Sequence, residues 1–119
     1  MKVLVLGGSG ILGREVLKVF PDAIGTYWHR RFDGGVKYAP AIFDQIRPDV
    51  CINCIVERSV DACEHDWEST KHANIDIVQN VAEACDRLGI HLVHISTDYV
   101  FDGSSPPYAP SSLPNPLLN

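Results

Sequence analysis

No apolar run in this sequence approaches the ~18 residues that a membrane-crossing helix needs, which argues against a membrane partner. A secretory signal pattern is missing too. Residues 3–6 run straight into glycine, without a long apolar region or a small-residue cleavage site. Positive charge is scarce: 10 Lys and Arg stand against 15 Asp and Glu, a net charge of −5. That balance argues against nucleic-acid binding through bulk charge. Cysteine is limited to Cys51, Cys54, Cys63 and Cys85. Without a secretory context they do not suggest a disulfide framework, and a cytoplasmic location is expected. The composition, 45% hydrophobic and 21% charged, also argues against wholesale disorder, collagen or a coiled coil.

Short β-type runs alternate with helical patterns along the 119 residues. Residues 3–6 form a continuous apolar run, the mark of a strand buried on both faces. Ile11, Leu12, Val16, Val19 and Phe20 then recur at helical spacing until Pro21 stops them. Strands are expected at 23–28, 36–38, 50–56 and 91–96, and a short helix at 41–46. The longest helix is expected at 70–88, with Ile75, Val78, Ala82, Cys85 and Leu88 on one stripe and Gly89 as its stop. Beyond Asp98, Gly103 and five prolines predict an irregular tail over 98–119. Strands separated by helices imply right-handed crossovers and a parallel sheet covered on both faces. The expected fold is thus α/β, a Rossmann-like doubly wound parallel sheet forming one domain over 1–119. Ligands of such sheets bind outside the carboxyl ends of the strands, where strand order reverses.

The most specific pattern is Gly7-Gly8-Ser9-Gly10-Ile11-Leu12-Gly13, which follows a buried strand and opens an amphipathic helix. The first glycines are expected to turn the chain with positive φ, and Gly10 to let a diphosphate approach the backbone. Gly13 lets the helix press on the sheet, so that its first amides face the phosphates. The second strand ends in Thr26-Tyr27-Trp28-His29-Arg30-Arg31, with Asp33 only beyond the arginines. An acidic residue at that strand end would suit the ribose of NAD. Guanidinium groups suit the 2′-phosphate of NADP, so NADP is favoured and NAD remains an alternative. At the end of the last strand, Ser96 and Thr97 offer hydroxyls that either polarise a substrate carbonyl or merely finish a strand.

Other patterns have plainer readings. Cys51 and Cys54 spell C-x-x-C, but residues three apart on a strand face opposite ways, so core packing is expected. His91 and His94 are likewise expected on opposite faces, and the five histidines show no zinc-type spacing. Trp28 and Trp67 read as packing residues. Asn74, within the long helix, reads as a buried amide that must find hydrogen-bond partners.

The Gly7 to Gly13 loop, Asn53-Cys54-Ile55-Val56, Asn74 and Ser96-Thr97-Asp98-Tyr99-Val100-Phe101-Asp102-Gly103 occur in that order. Together they resemble the extended short-chain dehydrogenase/reductase superfamily. Within it, they resemble the dTDP-4-dehydrorhamnose reductases and the regulatory beta subunits of methionine adenosyltransferase. Glu57-Arg58 and Pro106-Pro107-Tyr108 look closer to the second group, and Thr97 matches the catalytic threonine of the first. The resemblance implies that Gly7, Ser9, Gly10, Ile11, Leu12 and Gly13 wrap the diphosphate, and that His29, Arg30 and Arg31 hold the adenosine end. It implies that Cys54, Ile55 and Val56 line the cofactor's path, where the family usually has small alanines. Thr97 would orient the substrate carbonyl and Tyr99 would contact the substrate.

The superfamily's Tyr-x-x-x-Lys pair is absent. Four positions after Tyr27, Tyr38, Tyr99 and Tyr108 stand Arg31, Ile42, Gly103 and Ser112. In the reductases that pair closely follows a segment like Pro116-Leu117-Leu118-Asn119, so the sequence is expected to be the N-terminal portion of the fold, cut before the Tyr-x-x-x-Lys helix. A general acid contributes typically ~10²–10⁴-fold to such reactions. Three readings stay open. One is the NADP-binding portion of a reductase acting on a 4-keto nucleotide sugar. Another is a regulatory subunit that binds the catalytic subunit of methionine adenosyltransferase. The third is an inactive fragment. Each leaves the last strand with an apolar edge. Thermal unfolding of the 119 residues should therefore show low stability in isolation; a cooperative monomeric melt at high temperature contradicts that expectation.

Overall fold

The computed structural model describes residues 1–117. Leu118 and Asn119, the last of the expected irregular tail, lie outside the described residues. The elements in chain order are β1 (Val3–Leu6), α1 (Ile11–Val19), β2 (Ile24–Tyr27), β3 (Val36–Lys37), α2 (Ile42–Ile46) and β4 (Val50–Asn53). Next come α3 (Val60–His65), α4 (Trp67–Lys71), a π-helical turn (His72–Asp76), α5 (Ile77–Leu88), β5 (His91–His94) and a 3₁₀ turn (Asp98–Val100).

All five strands are parallel, in the order β3-β2-β1-β4-β5. The chain moves outward from β1 in one direction and then restarts beside β1 with β4. The reversal therefore lies between β1 and β4, whose register runs from Val3 opposite Val50 to Leu6 opposite Asn53. The doubly wound layout predicted from the alternation of patterns is the one observed.

Side-chain alternation builds two cores on β1. Leu4 and Leu6, with Cys51, meet Ile42 and Phe43 of α2 and Ile77, Val81 and Cys85 of α5. Val3 and Val5, with Ile52, meet Val16, Leu17 and Phe20 from α1. All four β1 residues are buried because each face carries a helix. Cys51 and Cys54 belong to opposite cores, so the C-x-x-C thiols do not converge. Burial pushes the Cys51 thiol well above its ordinary range, which leaves it an inert packing group.

The long helix departs from its expected phase. It starts at Trp67 and is interrupted by the π turn His72–Asp76. Within α5, Ile77, Val81 and Cys85 form the buried stripe and Ala82 faces outward, while Ile75, inside the π turn, is 47% exposed. A 3.6-residue period counted back from Cys85 passes through Val81 and Ile77–Val78, so the expected stripe holds at Val78, Cys85 and Leu88 but not at Ile75 and Ala82. Gly89 does end the helix, in the left-handed conformation, with the Ile90 amide donating to the Cys85 carbonyl. β1 matches its apolar run and the other four strands are shorter than theirs, while α3, which buries no residue, left no periodic trace in the sequence.

β5 is an edge strand, and Val93 is 38% exposed there. No helix among the described residues is long and apolar enough to cross a membrane. The packing predicts an uneven response to mutation. Phe43→Ala, at a side chain 1% exposed, should cost about 3–5 kcal/mol in urea unfolding, as core aromatic truncations do. Val93→Lys should cost less than about 1 kcal/mol, because that side chain already borders solvent. Equal losses at the two sites contradict this assignment of the core.

Candidate functional site

β1 runs into the glycine loop at its carboxyl end, beside the reversal of strand order. Gly7 has φ +75°, its amide donates to Thr26 Oγ1 at 3.3 Å, and the Gly8 amide donates to the Thr26 carbonyl at 2.7 Å. Thr26 is fully buried and pegs the loop to β2. The Gly10 amide then returns to the Gly7 carbonyl at 2.9 Å. A Cβ on Gly13 would overlap that same carbonyl oxygen and lie 2.8 Å from Gly8 Cα, so only glycine fits where α1 crosses the loop. Gly8 differs from expectation. Its φ is not positive; its lack of a side chain instead makes room for Leu17 and Phe32, either of which a Cβ would meet at 3.0 Å.

α1 begins at Gly10 with no side-chain cap. Its first amides, at Ile11, Leu12 and Gly13, therefore point from the helix start with no capping oxygen, in the favourable sense of the helix dipole for an anion. Ser9 is half-buried in the loop, while Ile11 and Leu12 are 68% and 45% exposed at its rim.

The facing wall is the segment after β4, whose Cys54 carbonyl lies 3.0 Å from where a Gly7 Cβ would sit. Cys54 packs into the α1 core and Ile55 into the α2/α5 core, so only Val56 stands out, 60% exposed. The side chains of Cys54 and Ile55 are thus directed largely into the two cores rather than toward the glycine loop. Two amides hold the segment. Asn53, 1% exposed, accepts from the Ile55 amide at 3.1 Å and pairs with His94 Nδ1 at 3.3 Å. Asn74, on the π turn, accepts from the Glu57 amide at 2.8 Å and donates to the Glu57 carbonyl at 3.1 Å. The structural role expected for Asn74 is the one observed. Sequence reasoning misses Thr26 and Asn53 as site-builders, although an asparagine inside an apolar run is itself a sign of a required hydrogen bond.

His29, Arg30 and Arg31 lie beyond β2, all exposed. Neither arginine enters an ion pair among the described residues. The His29 ring stands edge-on to Trp28 at 5.8 Å, and Trp28 also rests on Tyr38 and His72. Trp28 is a packing residue, as its surroundings show. Past β5, Thr97 and Tyr99 are exposed, and Thr97 Oγ1 accepts the Tyr99 amide at 3.2 Å. The predicted residues thus lie along one edge of the sheet, on the ends of β2, β1, β4 and β5 in turn. Two strand spacings, about 10 Å, separate the β1 and β5 ends. A separate groove of about 380 Å³ between α2 and α5, lined by Tyr38, Phe43 and Arg87 among others, holds none of them.

Residues 1–118 match the family described as RmlD substrate binding domain. This chain belongs to that family. It is 34% identical over 131 residues to methionine adenosyltransferase 2 subunit beta of Bos taurus, covering 98% of this chain and 38% of that protein. It is 37% identical over 112 residues to dTDP-4-dehydrorhamnose reductase of Burkholderia thailandensis, covering 91% of this chain and 38% of that one. The chain thus spans 38% of the length of both curated relatives. Among solved structures, it resembles dTDP-4-dehydrorhamnose reductase from Bacillus anthracis in complex with NADP. That match has a TM-score of 0.80 and 25% identity, over 98% of this chain and 44% of the other.

For an RmlD-family loop of this shape, Gly13→Ala is the sharpest test. The new methyl has no space beneath α1, so the variant should lose at least about 2 kcal/mol of unfolding free energy or shift the helix. Gly34→Ala removes a positive-φ glycine with open space around it and should cost only about 1 kcal/mol. Urea unfolding of both variants measures the gap, and an innocuous Gly13→Ala contradicts the close crossing.

Proposed function

We propose that this chain is the dinucleotide-binding portion of an RmlD-like reductase and that it binds NADP in preference to NAD. The observation that carries the reading is the uncapped start of α1 above a loop with no room for a side chain at Gly13. Such a corner suits a diphosphate, because backbone amides approach it unhindered and the helix dipole favours the negative charge. The amides of Ser9, Ile11 and Leu12 would hold the diphosphate, while Gly10, whose own amide is spent on the Gly7 carbonyl, would let it approach the backbone and Gly7 and Gly13 would shape the loop. His29, Arg30 and Arg31 would lie at the adenosine end, and no acidic residue ends β2 to favour the unphosphorylated ribose. Cys54, Ile55 and Val56 would border the path between these ends and the substrate side.

When bound, a nicotinamide dinucleotide supplies a hydride to a carbonyl carbon. The chain's own contribution to that chemistry is at Thr97. Its oxygen already accepts from the Tyr99 amide, which leaves its O–H proton to donate to a carbonyl oxygen. A donor placed where negative charge develops is worth about 2.7–4 kcal/mol in comparable sites. Tyr99, 69% exposed, would meet the rest of the substrate, a 4-keto nucleotide sugar if the chemistry is that of the reductase relatives.

A second reading rests on the similarity to the bovine beta subunit along 98% of the chain. There the same corner would bind a dinucleotide to tune association with a methionine adenosyltransferase catalytic subunit. Glu57 and Arg58, on the segment braced by Asn74, and Tyr108, stacked on Phe101 at 4.2 Å, would lie toward that partner.

Calorimetric titration of the purified chain with NADPH and NADH separates these ideas. NADPH should bind saturably and at least about tenfold tighter than NADH, since hydrogen bonds to charged groups are worth about 1.5–3 kcal/mol. Replacing Arg30 and Arg31 together by alanine should bring the two affinities within about threefold. Saturable binding of neither nucleotide sinks the proposal. Co-elution with a methionine adenosyltransferase catalytic subunit in gel filtration would favour the regulatory reading.

A further inference from the structure

Among the described residues, the tail expected to be irregular has no regular elements after Val100, yet it is not loose. One carboxylate gathers it. Asp102 Oδ1 accepts from the Ser104 amide at 2.8 Å, from Ser104 Oγ at 2.7 Å and from the Tyr108 hydroxyl at 3.2 Å. Its Oδ2 accepts from Asn115 Nδ2 at 2.8 Å. Asn115 closes the loop twice, because its backbone amide also donates to the Val100 carbonyl at 2.8 Å. The Tyr108 ring lies flat on Phe101, and the Tyr108 hydroxyl accepts from the Ser105 amide at 3.1 Å. Residues 100–115 therefore leave and return at one place, the geometry of an Ω-loop stitched by its own side chains.

That place adjoins the substrate side of the site. Thr97 Oγ1 takes the Tyr99 amide, and the Phe101 amide donates to the Asp98 carbonyl at 3.0 Å. A single hydrogen-bonded turn thus connects Thr97 to the closure point. We infer that Asp102 and Asn115 are positioning residues: by closing residues 100–115 on Val100, they hold Thr97 and Tyr99 where a substrate carbonyl would meet them. The inference rests on the proposed substrate roles of Thr97 and Tyr99, but not on the grip on the dinucleotide. The donors around Asp102 hold its carboxyl well below the usual carboxylate range, so it stays charged while ordinary carboxyl groups protonate. Tyr108 is the other titratable side chain bonded to it, and no cation pairs with it among the described residues.

Residue-resolved amide exchange on the full chain, run beside NADPH titration, tests the assignment. Asp102→Ala and Asn115→Ala should each lower protection at Ser104, Ser105 and Tyr99 at least about tenfold, on the reasoning that local opening is read amide by amide. Protection in β1 and β4, and the NADPH affinity, should not change. Asn115→Asp adds a pH signature that simple loss of packing would not show. Near neutrality its carboxylate faces that of Asp102 and should open the loop further than Asn115→Ala does. Below about pH 4 the new carboxyl carries a proton to donate, and loop protection should return. Free exchange of the loop in the unaltered chain overturns the proposal. So does loop opening that leaves Tyr99 unaffected, or a loss spread evenly through β1 and β4. If NADPH binds no form while the loop behaves as described, the dinucleotide reading falls and the loop closure stands.

Discussion

The point a Cβ of residue 13 would take is already filled by the carbonyl of Gly7. That crowding is the constraint on which the rest of the site depends. It brings α1 down onto the end of β1, fixes where its first amides emerge, and leaves no side chain between them and an approaching anion. The loop has little room to relax around a larger residue, because its other side rests on the segment after β4, where the Cys54 carbonyl lies 3.0 Å from the point a Gly7 Cβ would take. Below it, Thr26 fastens both Gly7 and Gly8 to β2. Three strands therefore converge on one turn, and the crevice at the reversal of strand order is a consequence of that convergence.

Around this turn the loops at the carboxyl edge are held by single polar side chains. Thr26 holds the glycine loop, Asn53 and Asn74 the segment after β4, and Asp102 the loop after β5. Each supplies an acceptor to groups that no helix or strand satisfies. The alternative, an unpaired buried amide, costs about 1–3 kcal/mol. Such pegs let irregular backbone stay rigid where a ligand needs exposed amides and hydroxyls, which regular structure would otherwise consume.

This division explains what was legible in the residues. Buried strands announce themselves through continuous apolar runs, and the glycine loop through its spacing, so the sheet and its reversal point could be read early. The phase of the long helix could not, because apolar residues at 75, 77, 78, 81, 82 and 85 allow two stripes, and packing buries Ile77 and Val81 rather than Ile75 and Ala82. The role of Gly8 was likewise hidden. Its need for glycine comes from Leu17 and Phe32, residues distant in the chain, not from its own backbone angle. Prolines at 106–116 point away from regular elements, but irregular is not the same as loose. What orders that stretch is a carboxylate whose partners are up to thirteen residues away.

The proposed gripping and reacting residues stand on different strands and are fastened by different devices. The candidate dinucleotide contacts hang on β1, β2 and β4 through the crowding at Gly7 and Gly13. Thr97 and Tyr99 hang on β5 through the loop that Asp102 closes. The two sets meet at Asn53, which accepts from the Ile55 amide on one side and pairs with His94 of β5 on the other. A family built this way can keep the nucleotide corner while the chemistry at the β5 end is altered or abandoned. The proposed separation is compatible with the similarity of this one stretch of chain, at about a third of its positions, both to a dTDP-4-dehydrorhamnose reductase and to a methionine adenosyltransferase subunit beta.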